Sequence, residues 1–242
     1  MEHRRMRADK KNMASIAKEP AKRSLRRRNG LLNTAIPARS DLMAMAVRNS
    51  TQSPLLRLPG EIRTKIWQYA LGHHRVSMHR VRDGRRYAPI RLGVSVRPMH
   101  ATTSLGCSFV CPNFSLARVC RQVYAEAAAF AYSLNTFAFD SYATLDLWAK
   151  KRVVGQRRLV ASIDMPYNYT QLYRLGFRKP FHAKFDNIQR IGVHANVAAF
   201  SRRSEADGIA VAKARVVEWI KRKEGEQVCV DWFPGTCLAS RA

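Results

Sequence analysis

From Leu116 onward the apolar residues of this 242-residue chain change period repeatedly, and that alternation is the tightest constraint on its fold. Leu116, Val119, Cys120, Val123, Tyr124, Ala127 and Ala131 recur at helical spacing, so a helix is expected over Ser115–Tyr132 with Ser115 as its N-cap. Ser133, Leu134 and Asn135 break it, and Thr136–Phe139 reads as a short strand. A helix over 142–151 carries Leu145, Leu147 and Trp148, and Leu159–Met165 reads as a strand stopped by Pro166. Asn187–His194 follows as a strand. Glu205–Lys223 is a longer helix with Ile209, Ala212, Val216, Trp219 and Ile220 on one face, and Gln227–Phe233 alternates as a last strand. Such alternation favours a small mixed sheet with covering helices, an α+β fold.

Upstream, a folded element is expected from Ser53-Pro54. Pro59 can occupy the first turn of a helix, where its missing N–H is no loss. Glu61 lies near the positive end of that helix dipole. Ile62, Ile66, Tyr69 and Ala70 form one apolar stripe, widened by Trp67, and Gly72 stops the helix. Arg75–Val81 alternates as a strand, with Val76 and Met78 on one side. Asp83-Gly84 signals a turn, Arg86–Leu92 is the expected hairpin return, and residues 93–114 read as a loop.

Charge is the outstanding bulk property: 43 Lys and Arg against 17 Asp and Glu give a net +26. Residues 1–50 hold 13 basic and 4 acidic residues, so the excess runs through the whole chain. Such a field attracts acidic protein, nucleic acid or an anionic surface. Residues 1–50 are expected to be a disordered basic tail, 51–233 the folded domain and 234–242 a C-terminal tail. Lys10, Lys11, Lys22, Arg23, Arg26, Arg27 and Arg28 have the spacing of a two-part nuclear import signal, whose extended basic side chains fill acidic grooves on a carrier. An acid-poor mitochondrial presequence and a plain solvated tail in a cytoplasmic protein are the competing readings. No apolar run reaches the roughly 18–20 residues of a membrane span. The five cysteines, Cys107, Cys111, Cys120, Cys229 and Cys237, are expected as reduced thiols, buried or partly buried, and their spacing, with His100, does not make the paired ligand set of a zinc site.

Two strings carry a resemblance. LLRLPGEIRTKIWQYALG at Leu55–Gly72 resembles the opening of the fungal F-box-like proteins with L-P-x-E-I-R-x-x-I-W. SLARVCRQVYAEAAAFAYSLNTFAFD at Ser115–Asp140 resembles their second signature, C-R-Q-x-Y-x-E-A followed by N-T-F-x-F. The two-EXR proteins of this group carry Glu-x-Arg in the second signature as well. Here Gln122, Val123 and Tyr124 stand there, which places the resemblance with a sister group of unknown function. The resemblance implies an F-box-like N-terminal helix packed on the sheet.

No phosphate-cradling Gly-rich loop, nucleophile elbow, metalloprotease helix or dinucleotide fingerprint occurs, so no catalytic, cofactor or metal residues are assigned. His73, His74 and His79 read as part of a basic surface. The expectation is a non-enzymatic protein–protein interaction module. Leu55, Leu58, Pro59, Ile62, Ile66 and Trp67 are either its partner-contact face or its core. Glu61, Arg63, Arg121 and Glu126 are candidate structural ion pairs. An F-box proper binds a ubiquitin-ligase adaptor, so a Skp1-like adaptor is the partner the resemblance implies. Weak, salt-sensitive nucleic-acid binding through the tail, Lys150–Arg152, Arg157-Arg158 and Lys221–Lys223 is the alternative.

Overall fold

A computed structural model describes residues 25–36, 40–81, 91–99, 112–176, 178–201 and 208–233. Lys10, Lys11, Lys22, Arg23, Asp83-Gly84, His100, Cys107, Cys111, Glu205, Cys237 and the tail 234–242 lie outside the described residues. The chain divides into two units, 1–33 and 34–242. In the first, the Arg27 N–H donates to the Leu31 carbonyl across a turn at Asn29-Gly30, and Arg26 pairs with Leu32 in an antiparallel bridge.

The second unit begins with α1 (Asp41–Gln52), where an irregular tail was expected. Leu42, Met43, Ala44, Met45 and Ala46 are good helix formers, and Asp41 in the first turn complements the dipole. None of its residues is buried. Next come α2 (Gly60–Leu71), β1 (His74–Val81) and β2 (Arg91–Pro98). Of the expected return Arg86–Leu92, residues 86–90 lie outside the described residues, and β2 runs on through 93–98 of the expected loop. Val94 and Val96 are β-branched at period two, and this alternation outweighs the Gly93 and Ser95 between them.

The long helix expected over Ser115–Tyr132 is broken into a 3-10 turn (Phe114–Arg118), α3 (Arg121–Ala127) and α4 (Phe130–Ser133). Ser115 is not its cap. The Asn113 side chain accepts from the Ser115 N–H, and the Cys120 sulfur accepts from the Val123 N–H to start α3. Then follow β3 (Thr136–Phe139), α5 (Tyr142–Lys150), α6 (Val154–Arg157), β4 (Ser162–Asp164), α7 (Tyr167–Arg174), β5 (Arg190–His194), α8 (Asn196–Phe200), α9 (Ile209–Glu224) and β6 (Cys229–Phe233). The helices α6, α7 and α8 have no counterpart in the sequence reading. β4, β5 and β6 are shorter than expected at their N-terminal ends.

The six strands form one mixed sheet in the order β2-β1-β3-β4-β5-β6, with β2 antiparallel to β1 and all other pairs parallel. From β1 to β6 each parallel strand is laid down beside the last, in one direction. Crossovers of one hand then place their helices on one face. Side-chain packing shows that face: Val76, Phe137, Ile163 and Ile191 from the strands join Trp148, Val216 and Ile220 from the helices in one core. The Phe137 and Phe139 rings lie 4.9 and 5.4 Å from Trp148. The opposite sheet face receives the alternate residues, which are mostly polar.

A second, smaller core of Leu56, Trp67, Leu71, Val123 and Ala127 holds α2 against α3. So α2 packs chiefly on the helices after β2, and not directly on the sheet as expected.

Candidate functional site

The two sequence signatures meet in space and are fastened at both ends of α2. At the first end Arg63 points inward. Its Nε and Nη2 donate to the two Glu126 oxygens at 2.9 and 2.8 Å, a bidentate pair. Its Nη1 donates to the carbonyls of Leu56 and Leu58, which closes the turn before the helix. Glu126 also accepts from Trp67 Nε1 at 3.1 Å and Gln122 Nε2 at 3.1 Å. Burial works against the Glu126 charge, but the hydrogen bonds from Arg63, Trp67 and Gln122 outweigh it and hold the carboxyl below its ordinary pKa. The hydrogen bond to Glu126 raises the pKa of Arg63 in turn, with Glu61 adding a smaller pull.

At the second end Asn135 is fully buried. Its amide donates to the Leu71 carbonyl at 2.6 Å and the Ala131 carbonyl at 3.1 Å, and its oxygen accepts from the His74 N–H at 2.9 Å. One side chain therefore caps α2, closes the helix before β3 and seats the first residue of β1. Between them His73 has a positive φ of 62°, an uncommon backbone for a residue with a side chain. Its N–H bonds to Leu134 and its carbonyl accepts from Met99.

The anticipated residues divide accordingly. Trp67 is core at 1% exposure, and Leu55 and Ile66 pack on the same cluster. Leu58 is half-buried, and Pro59 and Ile62 are exposed. The apolar stripe of α2 is rotated from the one expected: Trp67 and Leu71 point in, while Ile62, Tyr69 and Ala70 point out. The reason is the polar knot, since Arg63 and Trp67, one turn apart, both need Glu126. Glu61 is exposed, and Arg121 is half-buried but is not a partner of Glu126. Of the four charged candidates, only Arg63 and Glu126 form a pair with each other. In the first unit Arg26, Arg27 and Arg28 lead into the turn at Asn29-Gly30.

Of the basic runs named for nucleic acid, Lys221–Lys223 and Arg158 have partners within the fold. Lys223 donates to the Tyr173 carbonyl and lies over the Tyr173 and Trp219 rings. Arg222 pairs with Glu218, Lys221 with Glu226 and Arg158 with Asp186. Cys120 is half-buried, but Cys229 is exposed, against the expectation of a shielded thiol. His73 is exposed and His74 and His79 are half-buried, so the three are not one surface patch.

A polar layer on the opposite sheet face was not anticipated. Asp164, 4% exposed, lies between Arg75 Nε at 2.6 Å and Arg190 Nη1 at 3.1 Å; Arg190 Nε also holds Asp231 at 2.7 Å. Gly192 makes room, because a Cβ there would lie 2.1 Å from Asp164 Oδ1. The signal was present as polar residues in phase on adjacent strands: Arg75, Ser162, Asp164, Arg190 and Asp231. Register alone aligns them. Under the helices, Glu224 is buried and accepts from the Tyr173 hydroxyl, the Phe181 and His182 N–H groups and His182 Nδ1. Asp146 binds Arg178 and Lys184 at 2.6 and 2.7 Å. Among the described residues, no group of three or more His, Cys, Asp or Glu side chains could hold a metal ion.

Residues 48–187 match the family described as Domain of unknown function (DUF7730), which covers more than half of the chain. The chain belongs to the DUF7730 family. No curated protein and no solved structure matches it. The DUF7730 match starts inside α1 and ends before β5, so it takes in both signatures and both fastenings of α2. The last two strands and α9, which complete the sheet, lie beyond it.

Proposed function

We propose that this DUF7730 protein is a non-enzymatic protein–protein interaction module of the F-box-like kind, which receives its partner on the outer face of α2. The observation that carries this reading is the contrast across one helix. Trp67 and Leu71 are 1% exposed, while Ile62 and Tyr69 on the other side are 45% and 79% exposed. Large apolar side chains left in water on a helix that is otherwise firmly fastened are a docking asset. Lys65 stands exposed between them, which suits an apolar partner surface with acidic flanks. The carboxylates support a structural, non-catalytic chemistry: Glu126, Asp146, Asp164 and Glu224 each hold two or more intramolecular donors.

The most specific form of this proposal is a ubiquitin-ligase substrate adaptor. Size-exclusion co-elution of the full chain with a Skp1-like adaptor tests it, using Ile62→Asp and Tyr69→Asp. Both positions are exposed, so the variants should keep the wild-type unfolding midpoint and lose co-elution. Absence of co-elution with the wild type ends the adaptor form. Retention by both variants removes the α2 face from any role in it.

A further inference from the structure

β2 is the last strand at one end of the sheet. Among the described residues β2 pairs with β1 alone, in a register that sets Pro98 opposite His74 and Arg91 opposite Val81. The Met99 N–H donates to the His73 carbonyl. In an antiparallel ladder the hydrogen-bonded pairs alternate, so Arg97, Ser95, Gly93 and Arg91 bond to β1. Leu92, Val94 and Val96 must then direct their N–H and C=O groups away from the sheet. Pro98 falls in this outward set, where a missing N–H costs no ladder bond. No described residue bonds to the outward groups of Leu92, Val94 or Val96, and Val94 is 54% exposed.

Charge selects the occupant. β1 and β2 together carry Arg75, Arg80, Arg91 and Arg97 and no acidic residue. Arg75 is matched by Asp164 and the Arg80 N–H by the Asp140 carboxylate, whereas the Arg80 and Arg97 side chains have no acidic partner among the described residues. A second copy of this chain is a poor fit: a two-fold axis through Val94 would set Arg91 against Arg97 at both ends, and like charges directly opposite are destabilising. An acidic segment reverses both terms. Arginines and a proline at its ends are also the usual protection of an edge strand against self-association. That protection leaves the central Leu92–Val96 backbone available to a chain of opposite charge.

We infer that β2 is a strand-addition site for an extended acidic peptide of a partner protein, distinct from the α2 face. Arg91 and Arg97 are six residues apart on one sheet face, and Leu92, Val94 and Val96 line the other. The matching peptide carries a carboxylate opposite Arg97, with apolar side chains at alternate positions along the strand. Main-chain hydrogen bonds give affinity, and the alternating side chains give selectivity.

Fluorescence anisotropy with the full chain and a labelled peptide Glu-Val-Ser-Val-Ser-Val-Glu tests the inference. The peptide should bind, its affinity should fall with added salt, and replacing both Glu by Lys should abolish binding. N-methylation of the peptide amides on one alternate set should abolish binding, and on the other set should leave it intact; this test leaves the protein untouched. Val94→Pro removes an outward N–H without breaking a bond to β1, so it should lose the peptide while keeping the unfolding midpoint. Arg97→Glu should weaken binding about fivefold, the size of a reversed cross-strand charge pair. Failure of the wild type to bind, equal binding of the Lys peptide, or equal effects of the two methylation sets overturns the inference. So does a wild-type dimer that Val94→Pro converts to monomer, since the occupant is then a second copy.

Discussion

At the scale of single residues, the fold depends on polar side chains that each answer several backbone groups. Asn135 is the clearest, because a buried amide that serves three partners leaves all three unsatisfied when it is lost. Asn135→Ala would strand the His74 N–H and the Leu71 and Ala131 carbonyls. Each orphaned buried group costs about 1–3 kcal/mol, so a loss of roughly 3 kcal/mol or more is expected from a urea unfolding midpoint. Asn135→Asp keeps the acceptor for His74 but sets a carboxylate against two carbonyls, and should be no better. Arg63 and Glu126 call for a different measurement. Truncating either removes more than the pair: Arg63 also ties Leu56 and Leu58, and Glu126 also ties Trp67 and Gln122. A double-mutant cycle with Arg63→Ala and Glu126→Ala should therefore give a favourable coupling smaller than either single loss. Additive losses would mean that the pair itself contributes nothing.

Elements show where sequence is a sufficient guide and where it is not. α9 was legible because its inward face is apolar up to its last turn: Ala212, Val216 and Ile220 are buried as their spacing requires, and the buried Glu224 ends the same stripe. Ile209, the first residue of the helix, is the exception at 54% exposure. Ile220→Ala should cost about 2–5 kcal/mol through lost burial and the cavity left, and Ile209→Ala about 0.5 kcal/mol or less; unfolding midpoints check both. For α2 the same reasoning gave the wrong face. Hydrophobic period counts Ile62 and Tyr69 as inward and Arg63 as outward. The fold inverts this, because Arg63 and Trp67 share an acceptor 59 or more positions away in sequence. A long-range polar partner has no local signature. The break after Arg118 was hidden for a related reason: a Cys side chain caps α3, a role that composition does not reveal. The α+β class was legible from the alternation of periods. The single-direction strand order, and with it the polar face, depends on crossovers that no pattern specifies.

For the whole molecule the governing quantity is a net charge of +26 opposed by a few well-placed carboxylates. Burial raises the pKa of Asp146, but its hydrogen bonds to Lys184 and Arg178 prevail and depress it; Glu126 is depressed in the same way, and Asp231 chiefly by its bond to Arg190. A carboxylate whose native pKa lies below its unfolded value contributes stability that is complete above the unfolded value. That stability is lost as pH falls through the native one. The unfolded value is about 4, so the urea midpoint should hold steady from pH 7 to about 5 and then decline. Asp146→Asn should lower the midpoint at pH 7 and flatten the decline, since one of the linked protons is gone. Salt separates the two charge effects. Asp146, Arg178 and Lys184 are each no more than 30% exposed, so added salt screens them weakly. The surplus positive charge is spread over the chain, and its self-repulsion is screened strongly. Raising sodium chloride from about 20 to about 150 mM, which shortens the screening length to about 8 Å, should therefore raise the midpoint at pH 7. A midpoint that falls instead would mean that exposed pairs such as Arg158–Asp186 and Arg222–Glu218 outweigh the repulsion.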